Sequence, residues 1–130
     1  MKKVTIVIPN YNGEKYIDEC FSALTKQSYK DFDVILADNG SEDNSISKAC
    51  QYKDKLDLNI KKLNCNYGFA KAVNEGIRQS QAEYVILLNN DTHAGRHFVE
   101  NLLKAIEMEK DVFAAQALML QYNSPELVDS

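Results

Sequence analysis

Three short polar segments of the sequence combine amide, hydroxyl and carboxylate side chains that could hold a ligand. They read Pro9-Asn10-Tyr11-Asn12-Gly13, Asp38-Asn39-Gly40-Ser41-Glu42-Asp43 and Asn89-Asn90-Asp91-Thr92-His93. Their oxygen atoms accept hydrogen bonds, and carboxylate oxygens are hard ligands that suit Mg²⁺ or Mn²⁺. The segments therefore predict a site for a polar ligand, provided that the fold brings them together.

Short apolar runs and helical spacings alternate along the chain, so the sequence predicts an α/β fold with a mostly parallel sheet. A weaker strand at Leu58–Leu63 carries two lysines, which are typical of a sheet edge. We expect a three-layer domain with strand order 3-2-1-4, in which the polar segments follow strands at the edge where ligands bind. The other predicted strands are Val4–Ile8, Val34–Ala37, Val85–Leu88 and Val112–Ala115, and the predicted helices lie around 17–24, 46–50, 69–77 and 99–106.

Length and composition favour one soluble globular domain over residues 1–130. The net charge of -4 argues against nucleic acid as a partner. We expect a cytoplasmic location, because the sequence has neither a signal peptide nor an apolar run long enough for a transmembrane segment.

Three scattered cysteines predict reduced thiols, with Cys20 in the core. Asn123-Ser124-Pro125 predicts a turn, and the tail from Glu126 onward has no obvious element to pack against.

Four motifs in succession resemble those of the inverting glycosyltransferase family 2, which has the GT-A fold, and especially its rhamnosyltransferase-like members. They are TIVIPNYNGEKYI, ILADNGSEDNS, NYGFAKAVNEGI and YVILLNNDT, and together they cover nearly the whole chain. One motif alone is weak, since Asp-Asn-Gly is also a common turn. The resemblance implies a glycosyltransferase of polysaccharide biosynthesis that moves a sugar from a UDP- or dTDP-sugar to a glycan or lipid-linked acceptor.

The resemblance also implies a nucleotide site. Tyr11 would stack on the pyrimidine, and Asp38-Asn39, where many relatives have two acids, would bind the imide edge of the base. The structural alternatives are a loop-packing Tyr11, an Asx-turn at Asp38-Asn39 and a solvated Lys71. The implied nucleotide-binding residues are Pro9, Tyr11, Asn12, Asp38, Asn39, Gly68, Lys71 and Asn90.

Asn89-Asn90-Asp91 stands at the Asp-x-Asp signature of the family. The resemblance makes Asp91 the ligand of Mg²⁺ or Mn²⁺, while Asn90 approaches the ribose. His93 is a second candidate ligand, because Asp91-Thr92-His93 also resembles the Asp-x-His motif of another GT-A family. His93 and His97 are spaced to share a helix face, but no third ligand for a zinc site is evident.

In relatives the general base lies in an acceptor-binding half, beyond the position of Ser130. We therefore expect a truncated fragment with no catalytic base, which binds nucleotide weakly without transferring sugar. The full-length enzyme could act at the inner face of the membrane. The alternative is a non-catalytic nucleotide-sugar-binding module. The sequence does not distinguish UDP from dTDP or identify the sugar.

Overall fold

The structure is a computed structural model that describes residues 2–108, 120–121 and 124–128. Strands and helices alternate through most of it, as the hydrophobic pattern predicts. The elements are β1 (Val4–Asn10), α1 (Glu14–Thr25), β2 (Phe32–Asp38), α2 (Ser45–Cys50), β3 (Leu58–Lys62), α3 (Phe69–Gln79), β4 (Tyr84–Leu87), α4 (Phe98–Glu107), β5 (Leu120–Gln121) and β6 (Ser124–Val128).

The first four strands form a parallel sheet in the order β3-β2-β1-β4, which confirms the predicted order 3-2-1-4. The register aligns Asn10 at the end of β1 with Asp38 at the end of β2. On the other side of β1, Val7 is aligned with Leu87 at the end of β4. The polar segments that follow these three strands therefore leave the sheet at the same edge.

Helices cover both faces of the sheet, so the predicted three layers are confirmed. On one face, Phe21 of α1, Ala49 of α2 and Val99 of α4 belong to one buried cluster with the apolar side chains of β1 and β2. On the other face, α3 lies so close to the sheet that a Cβ on Gly76 would stand 2.6 Å from a methyl group of Val7. Burying these apolar surfaces stabilises the fold that positions the strand ends.

Several smaller expectations can be compared with the structure. The lysine-bearing segment is confirmed as edge strand β3, and Cys20 is confirmed as a buried residue. Of the turn expected at Asn123-Ser124-Pro125, Asn123 lies outside the described residues, while Ser124 and Pro125 lie in β6 rather than in a turn. The expectation that the tail from Glu126 onward has no element to pack against is wrong, because Glu126 lies in β6, which pairs with β5 in antiparallel fashion. The predicted strand Val112–Ala115 lies outside the described residues. Among the described helices, none has the length and apolarity needed to span a membrane.

Candidate functional site

Asn10, the last residue of β1, joins the ends of three strands through its buried side chain. Its Nδ2 donates to Asp38 Oδ1 at 2.8 Å, to Ser45 Oγ at 2.9 Å and to Ser41 Oγ at 3.2 Å. Its Oδ1 accepts a hydrogen bond of 2.7 Å from Nδ2 of Asn90, which follows β4. The two N–H groups of the amide are shared among these three acceptor oxygens, and its carbonyl oxygen is the acceptor for Asn90. Asn10 therefore links the first, second and third polar segments.

Asp38 has a structural role in this network, because its carboxylate fixes the turn that follows β2. Its carboxylate is 1% exposed and accepts hydrogen bonds from Asn10 Nδ2, from the Ser41 amide at 2.9 Å and from Ser41 Oγ at 2.7 Å. This is the local turn expected as the structural alternative. Gly40 completes the turn with φ +83°, and a Cβ there would stand 2.7 Å from Cα of Cys65. The turn is thereby fixed against the segment that follows β3.

Asn39 fastens the second polar segment to the start of α3. Its Oδ1 accepts from the Tyr67 amide and its Nδ2 donates to the Gly68 carbonyl, both at 2.9 Å. Gly68 has φ +95°, a conformation that favours glycine at this connection. Both polar ends of Asn39 are thus used within the protein. A pyrimidine contact with this amide is therefore restricted to the second N–H of Nδ2 and the second lone pair of Oδ1.

The loop after β1 leaves an aromatic ring exposed above the network. Asn12 fixes this loop with φ +50°, because its amide donates to Ser41 Oγ at 2.8 Å and its Oδ1 accepts from the Glu42 amide at 2.8 Å. Tyr11 is 48% exposed, and Pro9 is half-buried at the end of the strand. A fixed backbone with an exposed ring is suited to stacking on a base.

Gly13 is required by the close approach of the first and third polar segments. A Cβ at Gly13 would collide with Nδ2 of Asn90 and with Oδ1 of Asn10, the two atoms that share a hydrogen bond. Glycine at this position therefore makes room for the contact between the ends of β1 and β4.

Asp43 ties the second polar segment to the start of α1. Its carboxylate accepts from Ser45 Oγ at 2.6 Å, from the Ser45 amide at 3.0 Å and from the Glu14 amide at 3.0 Å. Glu14 reciprocates, since its Oε1 accepts from the Asn44 amide at 2.8 Å. Desolvation acts to raise the pKa of Asp43, but the hydrogen bonds from Ser45 and Glu14 outweigh it and hold that pKa below its ordinary value.

The segment between β4 and α4 presents Asp91 to solvent above a buried thiol. Asp91 is exposed, and Thr92 Oγ1 donates to the Asn89 carbonyl at 2.7 Å. Cys20 Sγ lies 4.0 Å from the same carbonyl oxygen, and burial raises the pKa of Cys20 to about 12. Burial therefore favours the neutral form of the thiol beneath Asp91.

The residues around Asp91 fit a metal ion whose further ligands are phosphate oxygens and water. Within the described part of the chain, no three His, Cys, Asp or Glu side chains converge. Mg²⁺ and Mn²⁺ can be held by one carboxylate together with phosphate oxygens and water, whereas a zinc site needs three or four protein ligands. The donor set at Asp91 fits the former and does not fit the latter.

The two histidines do not share a helix, so the argument from their spacing is wrong. Both precede α4, which begins at Phe98. His93 Nδ1 lies 3.4 Å from Glu19 Oε1, and His97 Nδ1 lies 3.1 Å from Ser28 Oγ. Of the two, His93 stands two residues from Asp91 and stays a candidate ligand.

Lys71 lies in an open groove of about 600 Å³ at the end of β3, together with Lys61 and Lys62. Its ammonium is 3.5 Å from the Glu75 carboxylate and 5.9 Å from the ring centroid of Tyr67. The structure thus pairs Lys71 with Glu75 rather than with Asp91. A role for Lys71 toward the diphosphate stays a prediction that these contacts do not test.

Sequence reasoning missed Asn10 and Gly13 as site residues, although both lie in the first polar segment. The signal was the position of Asn10, at the carboxyl end of a strand in which Thr5 is the one other polar residue. A buried amide there must find hydrogen-bond partners, and the flanking polar segments supply them.

Comparison with known proteins assigns this chain to a family. The family model for glycosyl transferase family 2 matches residues 5–127. This chain belongs to glycosyl transferase family 2. The matched residues include the whole Asn10 network, Tyr11 and Asp91, and the resemblance to family 2 is confirmed.

Two curated members of the family illustrate the similarity. Glycosyltransferase GlyG of Streptococcus pneumoniae is 33% identical over 110 residues, which cover 83% of this chain and 36% of GlyG. The poly(ribitol-phosphate) β-N-acetylglucosaminyltransferase TarS of Staphylococcus aureus is 29% identical over 110 residues, which cover 82% of this chain and 19% of TarS. The chain therefore spans between a fifth and about a third of the length of these relatives.

Solved structures confirm the GT-A architecture. The crystal structure of S. aureus TarS superposes with a TM-score of 0.76 at 29% identity, over 82% of this chain and 20% of that one. A TarS structure in complex with UDP-GlcNAc gives a TM-score of 0.77 at 24% identity, over 94% and 41% of the two chains. A mannosyltransferase from Pyrobaculum calidifontis, in complex with GDP-Man and Mn²⁺, gives 0.73 at 24% identity, over 79% and 32%.

Proposed function

We propose that this chain is the donor-binding part of an inverting glycosyltransferase that uses a pyrimidine nucleoside-diphosphate sugar. The observation that carries the proposal is the Asn10 network, which holds Tyr11 after β1 and Asp91 after β4 at one edge of the sheet. The ring of Tyr11 would stack on the base of a nucleoside diphosphate. The Asp91 carboxylate, on the other side of the network, would hold a metal ion beside the charged diphosphate.

The base would bind beside Tyr11. The exposed ring supplies a stacking surface, and the loops fixed by Asn12 and Asn39 supply backbone groups and amides around it. UDP and dTDP present the same imide edge, so both are candidates. The TarS structure in complex with UDP-GlcNAc supports a UDP-sugar, whereas the motif resemblance to rhamnosyltransferases supports dTDP-rhamnose.

The diphosphate would lie beside Asp91. Asp91, with His93 as a second candidate, would hold Mg²⁺ or Mn²⁺, and such an ion neutralises the charge that develops on a leaving diphosphate. Asn90 is oriented by its bond to Asn10, so its remaining polar atoms are available to the ribose. Lys71 would reach the donor only by leaving Glu75.

Transfer with inversion requires an acceptor hydroxyl to attack the anomeric carbon while the bond from that carbon to the diphosphate breaks. The hydroxyl proton passes to a general base, for which an Asp or Glu is suited. We place that base and the binding site for the glycan or lipid-linked acceptor outside these 130 residues. The chain covers 19% of TarS and 36% of GlyG, which supports placing the general base and the acceptor site outside these residues.

Calorimetric titration with UDP and dTDP, each with and without Mn²⁺, tests the proposal. We expect one nucleotide to bind in a metal-dependent manner. Asp91→Asn should remove the metal dependence, while Asp54→Asn, which changes another exposed carboxylate, should leave it intact. Tyr11→Ala should weaken binding with and without metal, while Tyr16→Ala on α1, where the ring is also exposed, should not.

Either of two results would contradict the proposal. The first is that neither nucleotide binds in the presence of Mn²⁺, which would favour a module without donor-binding activity. The second is metal-dependent binding that survives in Asp91→Asn, which would move the metal to other residues. Sugar transfer by these 130 residues alone would show that the general base lies within them.

A further inference from the structure

Gln27 is a buried amide outside the strand-end network. It lies two residues after the end of α1 and is 1% exposed. Its Nε2 donates to the Gly95 carbonyl at 2.7 Å, and its Oε1 accepts from the Val99 amide at 3.1 Å. One side chain thus bonds the backbone on both sides of the start of α4. A buried amide that satisfies two backbone groups of another segment restricts how that segment moves.

Ser28 strengthens the same junction. Its amide donates to the Arg96 carbonyl at 2.9 Å, and its hydroxyl donates to Glu100 Oε1 at 3.1 Å. The pair Gln27-Ser28 therefore fixes the end of the segment that connects β4 to α4.

The beginning of this connecting segment is fixed by β1. The Leu88 amide donates to the Val7 carbonyl at 3.0 Å, and Asn90 bonds to Asn10. Asp91 lies between this anchor and the one formed by Gln27. Its carboxylate is exposed, so the orientation of Asp91 depends on the backbone that carries it.

Two residues from this part of the chain contact the connecting segment. Cys20 of α1 lies under the Asn89 carbonyl, and Gln27, beyond the end of α1, bonds Gly95. The buried Cys20 side chain packs beneath Asn89, whereas Gln27 supplies directed hydrogen bonds.

We propose that Gln27 is a positioning residue for Asp91: it holds the segment between β4 and α4 so that the Asp91 carboxylate meets the metal and the diphosphate. This inference rests on the proposed function. Gln27 touches neither ligand in this scheme and acts through the backbone at Gly95 and Val99. Groups that orient a metal ligand commonly affect metal affinity strongly although they do not touch the ion.

The first test variant is Gln27→Leu, which has a similar length and no polar atoms. We expect metal-dependent nucleotide binding to weaken by about tenfold or more, while binding without metal stays within about twofold of the parent. In the protein without nucleotide, the backbone amides of residues 89–99 should exchange hydrogen faster, while those of β1 and β2 keep their protection. Nucleotide binding and hydrogen exchange thus report separately on Asp91 and on the segment that carries it.

Gln27→Glu provides a rescue. A protonated carboxyl can donate to Gly95 and accept from Val99, as the amide does, whereas an ionised carboxylate cannot donate. The affinity of this variant relative to the parent should therefore be restored at about pH 5 and lost at about pH 8. Thr5→Val is the matched control, since it removes a buried hydrogen-bonding group that bonds Asp33 and Ser80 on the opposite face.

The outcomes separate the two proposals. If the parent shows metal-dependent binding and Gln27→Leu retains it, the inference about Gln27 is wrong and the proposed function stands. Equal hydrogen exchange in residues 89–99 of parent and Gln27→Leu would also overturn the inference. If the parent itself shows no metal-dependent binding, the proposed function fails, and the positioning role fails with it. If Thr5→Val weakens metal-dependent binding as much as Gln27→Leu does, the effect is one of general stability and the positioning role is rejected.

Discussion

Asn90 Nδ2 donates to Asn10 Oδ1 at 2.7 Å, and this bond joins residues that are 80 positions apart in the chain. It connects the part of the site that carries Asp91 to the part that carries Tyr11. The same Asn10 side chain donates to Asp38 and Ser45 through its other end. Loss of Asn10 therefore changes both halves of the site, whereas loss of Asn90 changes only one contact.

Asn10→Ala should lower the free energy of unfolding by about 2–4 kcal/mol, because it removes one of the donors to the buried Asp38 carboxylate together with the bonds to Ser41, Ser45 and Asn90. Asn90→Ala should cost about 1 kcal/mol, since it breaks one partly buried bond. Urea denaturation of the two variants measures the difference. Equal losses would show that the network through Asp38 contributes nothing beyond the bond to Asn90.

Gly13→Ala should separate the ends of β1 and β4. The added methyl group occupies space that Asn10 Oδ1 and Asn90 Nδ2 now fill, so the bond between them must break or the loop must shift. We expect a loss of about 1–3 kcal/mol in the free energy of unfolding. Gly95→Ala is the control, since a Cβ there would meet no atom within 4 Å. A Gly13→Ala variant as stable as Gly95→Ala would contradict the close approach.

Asn39→Asp distinguishes a structural role from base recognition. An aspartate keeps the acceptor for the Tyr67 amide but loses the donor to the Gly68 carbonyl. The free energy of unfolding should fall by about 1–2 kcal/mol. If Asn39 serves only the connection to α3, nucleotide affinity measured under stabilising conditions should be nearly unchanged. A clear change of affinity in either direction would instead place Asn39 in contact with the base, because a carboxylate accepts from the imide N–H but cannot donate to a base carbonyl.

The three cysteines should differ sharply in reactivity. Cys50 and Cys65 are exposed, whereas Cys20 is buried and burial raises its pKa to about 12. At about pH 8 the neutral thiol of Cys20 therefore predominates, and the buried side chain is also out of reach of a reagent. We expect a thiol-specific disulfide reagent to modify two thiols in the folded protein and a third after unfolding. Rapid reaction of a Cys50→Ser, Cys65→Ser double variant in the folded state would show that the segment above Cys20 opens readily.

Asp43 should make stability depend on pH in acid. Its pKa is lower in the folded protein than in the unfolded chain, so its contribution is complete above the unfolded value of about 4 and is lost as the pH falls through the folded value. In Asp43→Asn this dependence should be smaller. Comparing thermal unfolding of parent and variant across acid pH measures the difference. Parallel pH profiles would exclude a stabilising role for the ionised carboxylate.

The sheet and its strand order could be predicted because each strand carries its own signal. β1 and β2 are mostly apolar, β3 carries lysines at the edge, and the helical segments between them enforce parallel crossovers. The family motifs added the positions of the strand-end segments, whose convergence the structure confirms. The hairpin formed by β5 and β6 was missed, because Ser124-Pro125 combines residues typical of turns although it begins an edge strand.

The hydrogen bonds within the site could not be predicted in the same way. Asn10 and Gln27 find partners 80 and 68 residues away, and nothing in the local sequence specifies which buried backbone or amide will be in reach. The roles expected of Asn39 and Lys71 came from family positions, and the structure adds partners, Gly68 and Glu75, that compete for those side chains. The residue types predicted that polar atoms would lie at the strand ends. The packing determines which of these atoms already have hydrogen-bond partners within the protein and which can bind a ligand.

The long separation of Asn10 and Asn90 also bears on how the protein is made. Parallel strand pairs cannot form from neighbouring residues, and β4 enters the sheet after the other three strands have been synthesised. On the ribosome, the first polar segment emerges early but lacks its partner until Asn90 has left the exit tunnel. Ribosome-bound chains of increasing length should therefore begin abruptly to bind nucleotide in a metal-dependent manner. The chain length at which binding begins would show when β4 docks onto the sheet during translation.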